Sequence, residues 1–252
     1  MAWLLKRVSP RVAAPTPISI SDLSSAVGDL AERMTVRVSP RARRISLRLN
    51  IGDGTIELVQ PQRVSARAVL AFAAAHKAWI AKHLAALPAR IEFVTGALIP
   101  FRGRDYALRL TPETRGGVRI EDEHIVVAGR PEHTRRRLMD WLKAEAKKTI
   151  APAAHAHAEK LARKVARVTV RDTTSRWGSC SPDGRLSFSW RLILAPDHVL
   201  TYVIAHEVAH LKHMNHGPAF WRTVDQLLES ESAGDLARDW LRRNGAVLHR
   251  YG

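Results

Sequence analysis

Two periods of apolar and polar residues run through the chain. Thr35-Val36-Arg37-Val38, Arg44-Ile45-Ser46-Leu47-Arg48-Leu49 and Thr55–Gln60 alternate. Side chains two apart share a strand face, so alternation predicts half-buried strands. Gly52-Asp53-Gly54 predicts a hairpin turn between the last two, and Pro61 ends the run. From Ser65 to Leu87 the period lengthens, and Val69, Phe72, Ala73, His76, Trp79, Ile80 and Leu84 fall on one helical face. His76 and His83 lie seven apart on that side with no carboxylate beside them, and read as helix-face residues. Beyond Pro88, short runs at Ile91–Val94, Ala97–Phe101, Tyr106–Thr111, Val118–Glu121 and His124–Ala128 predict a small antiparallel β-layer without chemistry of its own.

Pro131 opens a helical stretch to about Arg167, with Leu138, Trp141, Leu142 and Ala146 as its apolar stripe and a kink or split expected at Pro152. His155 and His157 point to different helix faces and read as surface residues. Strands follow at Val168–Arg171 and Arg185–Trp190, with a turn at Pro182-Asp183-Gly184. Pro196-Asp197 reads as a helix start, with Asp197 as N-cap, before the apolar series Val199, Leu200, Val203, Ile204, Val208 and Leu211. Asn215 and Gly217 should break that helix, and Pro218 should open another to about Glu229. Residues 1–34 read as a loose leader, with a short helix over Ser21–Arg33 capped by Ser21 or Asp22. The expected organisation is the leader, a β-rich region with one helix over 35–130, and a catalytic region over 131–252.

The apolar helix carries the chemistry. His206-Glu207-Val208-Ala209-His210 is an H-E-x-x-H pattern, and another histidine, His216, stands six residues on. His206 and His210 project from one helical face and can hold one zinc ion, with Glu207 beside a metal-bound water. Burying imidazole and carboxylate in so apolar a helix is costly unless they are paired or metal-bound. The third ligand is open among His216, Glu229 and His213, in that order of preference. The His216 spacing equals that of metzincins, which carry glycine where His213 stands, but no methionine follows Met214 to make their later turn. In gluzincins a glutamate on a later helix is the ligand, which makes Glu229 a rival.

Composition narrows the setting. The chain has 252 residues, and its hydrophobic share of 46% is ordinary for a globular protein. A single cysteine, Cys180, excludes an intramolecular disulfide and reads as a packed small hydrophobe. No apolar run approaches the ~20 residues of a membrane span. The N-terminal apolar run is too short for a signal peptide, so a cytoplasmic location is expected. Lys and Arg number 40 against 24 Asp and Glu, a net charge of +16. Clusters at Arg37–Arg48, Arg130–Arg137 and Lys160–Arg171 make nucleic acid a possible partner, although no nucleic-acid module accompanies them. Oligomeric state is not legible.

Four segments together resemble a known family. They are Arg176-Trp177-Gly178-Ser179-Cys180, Trp190 to Pro196, Tyr202 to Leu211, and Asn215 to Trp221. This pattern resembles the YgjP-like metallopeptidases, relatives of SprT-like and WLM-type zinc proteases, and the likeness extends over roughly residues 35–245. The resemblance implies an α+β fold. A zincin-like region would pack its H-E-x-x-H helix on a small antiparallel sheet, after an N-terminal β-rich layer and a long central helix. It also implies Zn2+ held by His206, His210 and His216, with Glu207 as the base in hydrolysis of a polypeptide. Hydrolysis of another bond, such as a nucleotide phosphoanhydride, and action on nucleic-acid-associated proteins are the alternatives. Trp177 and Trp190 are expected in the core, and Arg176 either on substrate or in an ion pair. A strand just before the zinc helix is expected to receive the substrate as an added strand.

Overall fold

The structure, a computed structural model, describes residues 18–113 and 116–252. Residues 1–17 of the expected leader lie outside the described residues. The chain divides into two units, Met1–Leu87 and Pro88–Gly252. The sheet over residues 98–128 therefore belongs with the H-E-x-x-H helix, whereas the sequence pattern grouped it with the first hairpin.

In the first unit, α1 spans Ile20–Val27. Its N-cap is Ser19, two residues before the expected span and not Ser21 or Asp22: the Ser19 hydroxyl accepts from the Asp22 N–H, and the Asp22 carboxylate accepts from the Ser19 N–H. This reciprocal pairing satisfies two otherwise orphaned donors. A 3-10 segment, Gly28–Arg33, leads into β1 (Met34–Ser39). Strands β2 (Ser46–Asn50) and β3 (Thr55–Pro61) form the expected hairpin, and β1 pairs with β3 in parallel. The expected single helix is two, α2 (Ala66–Ala75) and α3 (Lys77–Ala85). They meet at His76, whose ring nitrogen Nδ1 bonds the Phe72 carbonyl at 2.8 Å. Leu23, Val27, Ile56, Leu58, Val69, Ala73, Ile80 and Leu84 form one buried cluster. Trp79 lies outside it and stacks on His83 at the surface.

The second unit holds a four-stranded sheet in the order β4 (Leu98–Phe101), β5 (Arg104–Thr111), β7 (His124–Ala128), β6 (Val118–Glu121). It is mixed, not antiparallel, because β5 and β7 run parallel. The β6–β7 hairpin folds back so that β7, the later strand, lies beside β5. Ile91 makes an isolated bridge to Tyr251 where a strand was expected. Helix α4 (Thr134–Lys160) runs unbroken through Pro152. Its buried side is Leu138, Leu142, Ala146, Ile150, Ala154 and Ala158, one row at helical spacing that holds it against the core. His157 is half-buried on this helix with its Nδ1 unpartnered, not the surface residue its spacing suggested.

After α4 the order is β8 (Arg167–Arg171), β9 (Gly178–Cys180), β10 (Arg185–Ser189) and α5 (Asp197–Ala209). The sheet order is β8-β10-β9, with β8 and β10 parallel and β9 antiparallel. It is mixed where an antiparallel sheet was expected. The strand before the helix, β10, is central, so both its edges are occupied; β8 and β9 are the edge strands, and β9 is the one that packs against α5. Asp197 is the first helical residue, not the cap. The Arg102 guanidinium, on the β4–β5 turn, grips it through two bonds of 2.8 and 3.0 Å. Helices α6 (Pro218–Leu228) and α7 (Ala233–Leu248) complete the chain. Buried Arg191 donates to the Leu248 and Tyr251 carbonyls, pairs with Asp172 and lies over Trp190, tying the last residues to the 3-10 segment before α5.

Candidate metal centre

Helix α5 places His206 and His210 one turn apart, with ring centroids separated by 5.1 Å. The helix ends at Ala209, earlier than the expected break at Asn215, and His210 is its cap. Tight turns follow: the Lys212 and His213 N–H groups both donate to the Ala209 carbonyl, and Gly217 N–H to that of Asn215. They fold the chain back and bring His216 Nε2 to 3.1 Å from His206 Nε2. One nitrogen from each of His206, His210 and His216 lies within 4.8 Å of the other two. Phe220, from α6, is fully buried and packs on all three rings at centroid distances of 4.9, 4.6 and 4.6 Å.

These residues fit a divalent metal. Four-coordinate zinc with nitrogen ligands holds them about 3.3 Å apart, close to the 3.1 Å between His206 and His216. Burial, then the neighbouring His210 and His216, push His206 down to about 4, so its imidazole is neutral and its lone pair free. His210 Nδ1 lies 3.1 Å from the His213 carbonyl, a bond that orients the ring and leaves Nε2 for the centre. The rival ligands lie elsewhere in the site's surroundings. His213 contributes its carbonyl to this bond, and Glu229 caps α6 in a left-handed conformation, exposed and paired with Lys160 at 2.7 Å.

Glu207 is only 6% exposed, and burial raises its carboxyl to about 7 against the pull of nearby Arg176. Gly178, on β9, packs against it. A Cβ there would come within 2.5 Å of Glu207 Cγ and Oε1, so only glycine allows the strand this close. Beside them opens a cavity of about 360 Å³, lined by Trp177, Tyr202, Val203 and Leu241 with Arg176 and Arg238 among its walls. Trp190 is core, as expected, but Trp177 is a cavity wall: half-buried, it stacks on His249 at 4.7 Å. Gly245 of α7 leaves room for its ring. Tyr202 is buried behind His206 and hydrogen-bonded to Arg238. Burial and the Glu207 charge drive the Cys180 thiol up to about 11, which leaves it unreactive. Arg238 and Leu241 escaped the sequence reading because no motif marks them, and Phe220 stood inside the Asn215 to Trp221 segment without a role assigned to it. The glycine inside Arg176-Trp177-Gly178-Ser179-Cys180 was the one signal for a close approach to Glu207.

A family model described as the YgjP-like metallopeptidase domain matches residues 43–244. The chain belongs to the YgjP-like metallopeptidase family. It is thus a metal-dependent peptidase, a hydrolase whose substrates are polypeptides. The matched residues include both the H-E-x-x-H helix and His216. Among curated proteins none matches. Of solved structures, the crystal structure of the metallopeptidase zymogen of Pyrococcus abyssi abylysin is similar at 19% identity, covering 38% of this chain and 94% of that one. Its TM-score of 0.34 is too low for the likeness to bear on the fold. Among the described residues, no helix of this YgjP-like protein is long and apolar enough to cross a membrane.

Proposed function

We propose that this YgjP-like protein is a zinc peptidase of zincin type, in which His206, His210 and His216 hold the ion and Glu207 is the general base. The observation that carries the reading is the meeting of three imidazole nitrogens beside a buried carboxylate on one helix. Zinc bound there supplies Lewis acidity, polarising a carbonyl and bringing the pKa of water toward ~7.

The chain's own residues do the rest. Glu207, raised to about 7, accepts the proton of the attacking water and returns it to the leaving amine. Gly178 and Cys180 offer substrate a backbone edge. Ser189 N–H donates to the Trp177 carbonyl and Ser181 N–H to that of Arg185, so these residues bond inward to β10. By the alternation of an antiparallel pair, the N–H and C=O groups of Gly178 and Cys180 face the open edge. An extended peptide laid there becomes a further strand, with its scissile bond beside Glu207. The apolar walls Trp177, Tyr202, Val203 and Leu241 suit a large apolar side chain next to that bond.

Elemental analysis of purified protein, run beside peptide cleavage, tests this. Wild type is expected to carry about one zinc per chain, and His216→Ala to lose or weaken it. Glu207→Gln is expected to keep the metal and lose about 10²- to 10⁴-fold in turnover. Full zinc occupancy in His216→Ala, or undiminished turnover in Glu207→Gln, refutes the assigned roles.

A further inference from the structure

A second cavity lies beside the metal centre, at the end of β9 away from the first. The first takes its walls from Arg176, Trp177 and Gly178, where β9 begins, and from α5 as far as Glu207. The second, of about 400 Å³, takes its walls from Ser181 to Gly184, just past the end of β9, and from His210 to Lys212, just past the end of α5. No residue lines both. Strand and helix thus pass the metal centre in the same order, and the cavities flank it, one on the His206 side and one on the His210 side. They differ in chemistry. The first is walled mainly by apolar side chains, whereas the second carries three exposed cations, Arg163, Lys164 and Lys212. Arg163 and Lys164 belong to the link between α4 and β8, which meets the cavity at the end of the β9–β10 hairpin and not across the sheet. There the Ala166 N–H donates to the Gly184 carbonyl at 2.9 Å, and a Cβ on Gly184 would stand 3.4 Å from the Lys164 carbonyl oxygen. Among the described residues, none of the three cations is in an ion pair. The one carboxylate of the lining, Asp183, is already bound by Arg185 at 2.8 Å and by the Ser181 hydroxyl.

We propose that the second cavity is a substrate subsite for an acidic side chain, Asp or Glu, on the opposite side of the scissile bond from the apolar residue held in the first. The inference rests on the peptidase reading and deepens it. A peptide laid along β9 has its scissile bond beside Glu207, and hence near Gly178. Ser181 lies about three residues further along the strand, roughly 10 Å at the usual rise. Side chains of an extended peptide alternate between the two faces of the sheet it joins, so every second residue points to the face on which Glu207 and α5 lie. An acidic residue about two or three positions from the scissile bond is then level with Lys212, Arg163 and Lys164, and supplies the counter-charge they lack. The lining has no Phe, Tyr or Trp ring on which a base could stack, which favours a peptide over a single strand of nucleic acid.

The test uses the full zinc-loaded protein. Peptides carry one Phe and, about two or three positions away, Asp, Asn or Lys, in both orders along the chain. Cleavage positions are read by mass spectrometry, and binding to Glu207→Gln protein by fluorescence polarisation. Cleavage is expected between Phe and the variable residue, with kcat/KM about fivefold higher for Asp than for Asn at low salt, mostly through KM, as a carboxylate among exposed cations allows. The ratio should shrink at about 0.5 M salt and fall to about one in the triple variant Arg163→Gln/Lys164→Gln/Lys212→Gln. The reversed variant Lys164→Glu/Lys212→Glu should turn the preference to the Lys peptide, a gain that misfolding could not produce. Equal cleavage of the Asp and Asn peptides, an advantage only when Asp and Phe lie on the same side of the cleaved bond, or an advantage that survives the triple variant overturns the proposal and leaves the peptidase reading intact. Should no peptide be cleaved, the peptidase reading falls and binding decides the subsite. Preference for Asp that is lost in the triple variant keeps it, and equal binding removes it. An oligonucleotide that binds more tightly than the Asp peptide at the same salt, and is lost in the triple variant, gives the cavity to nucleic acid and overturns the proposal.

Discussion

The two units are built from the same materials for different ends. In the first, the buried cluster is built on Ile56, Leu58, Val69, Ala73, Ile80 and their neighbours, and the buried polar residues among those described, Gln60 and Ser39, are uncharged. Its charges stay at the surface, as where Arg37 pairs with Glu57 at 2.6 Å. In the second, the core is interrupted by groups that resist burial: Glu207, Arg191 and His249 are all at least 94% buried. Each is costly to remove from water, and all three show it: burial pushes Glu207 up to about 7, His249 down to about 4, and Arg191 below its usual range. One unit spends its interior on stability alone. The other gives part of it to chemistry, and its tolerance of change should differ accordingly.

Breaking the closest contact of the second unit should have the largest effect. Gly178→Ala inserts a methyl group where Glu207 stands 2.5 Å away. Turnover should fall by about 10² or more as the carboxylate is displaced, with zinc content retained. Wild-type turnover in this variant would mean that β9 moves freely away from Glu207. Next in size is Leu58→Ala in the first unit. Leu58 is fully buried, and its truncation should cost about 2–5 kcal/mol of stability in denaturant titration. Zinc stoichiometry and kcat of the folded fraction should not change. A loss of metal affinity there would erase the contrast between the units.

The smallest effect sharpens the comparison through pH. His249, stacked on Trp177, is pushed down to about 4, by burial first and then by the charge of Arg191. Its folded pKa lies below the unfolded value of about 6.5, so the unfolded chain binds the proton more readily. The stability it contributes is therefore complete above pH ~6.5 and lost as pH falls toward ~4. The loss is about 0.8 kcal/mol at pH 6 and about 2 kcal/mol at pH 5. His249→Gln should flatten stability against pH by this amount, read as the difference between the two proteins over pH 4–7. Identical curves would show that His249 is protonated as easily in the fold as out of it.

Much of the site was legible in advance, for reasons that differ from residue to residue. His206, Glu207 and His210 were readable because helical geometry turns their spacing into a shared face. His216 was readable only as one of three third-ligand choices. Its approach to the other two histidines waited on the turns after Ala209, which depend on hydrogen bonds to the Ala209 carbonyl and no local pattern that could be read beforehand. The antiparallel expectation failed for both sheets of the second unit because alternation marks a strand without naming its partner. Of the kink or split expected at Pro152, the split is absent: the helix continues past the missing donor, with its row from Leu138 to Ala158 buried in the core.

By itself, then, the order of residues determined most of the elements, most of the apolar face of each helix and the shared face of His206 and His210, since these follow from periodicity within a dozen or so residues. Tertiary structure alone decided that β9 and not β10 is an edge strand, that Gly178 lies against Glu207, that Phe220 backs all three imidazoles, and that Arg167 and Arg185 stand side by side. Each of these joins residues far apart in the chain through packing or strand register. Pairing across a fold is chosen by the competition among all buried surfaces at once, which no short stretch of sequence records.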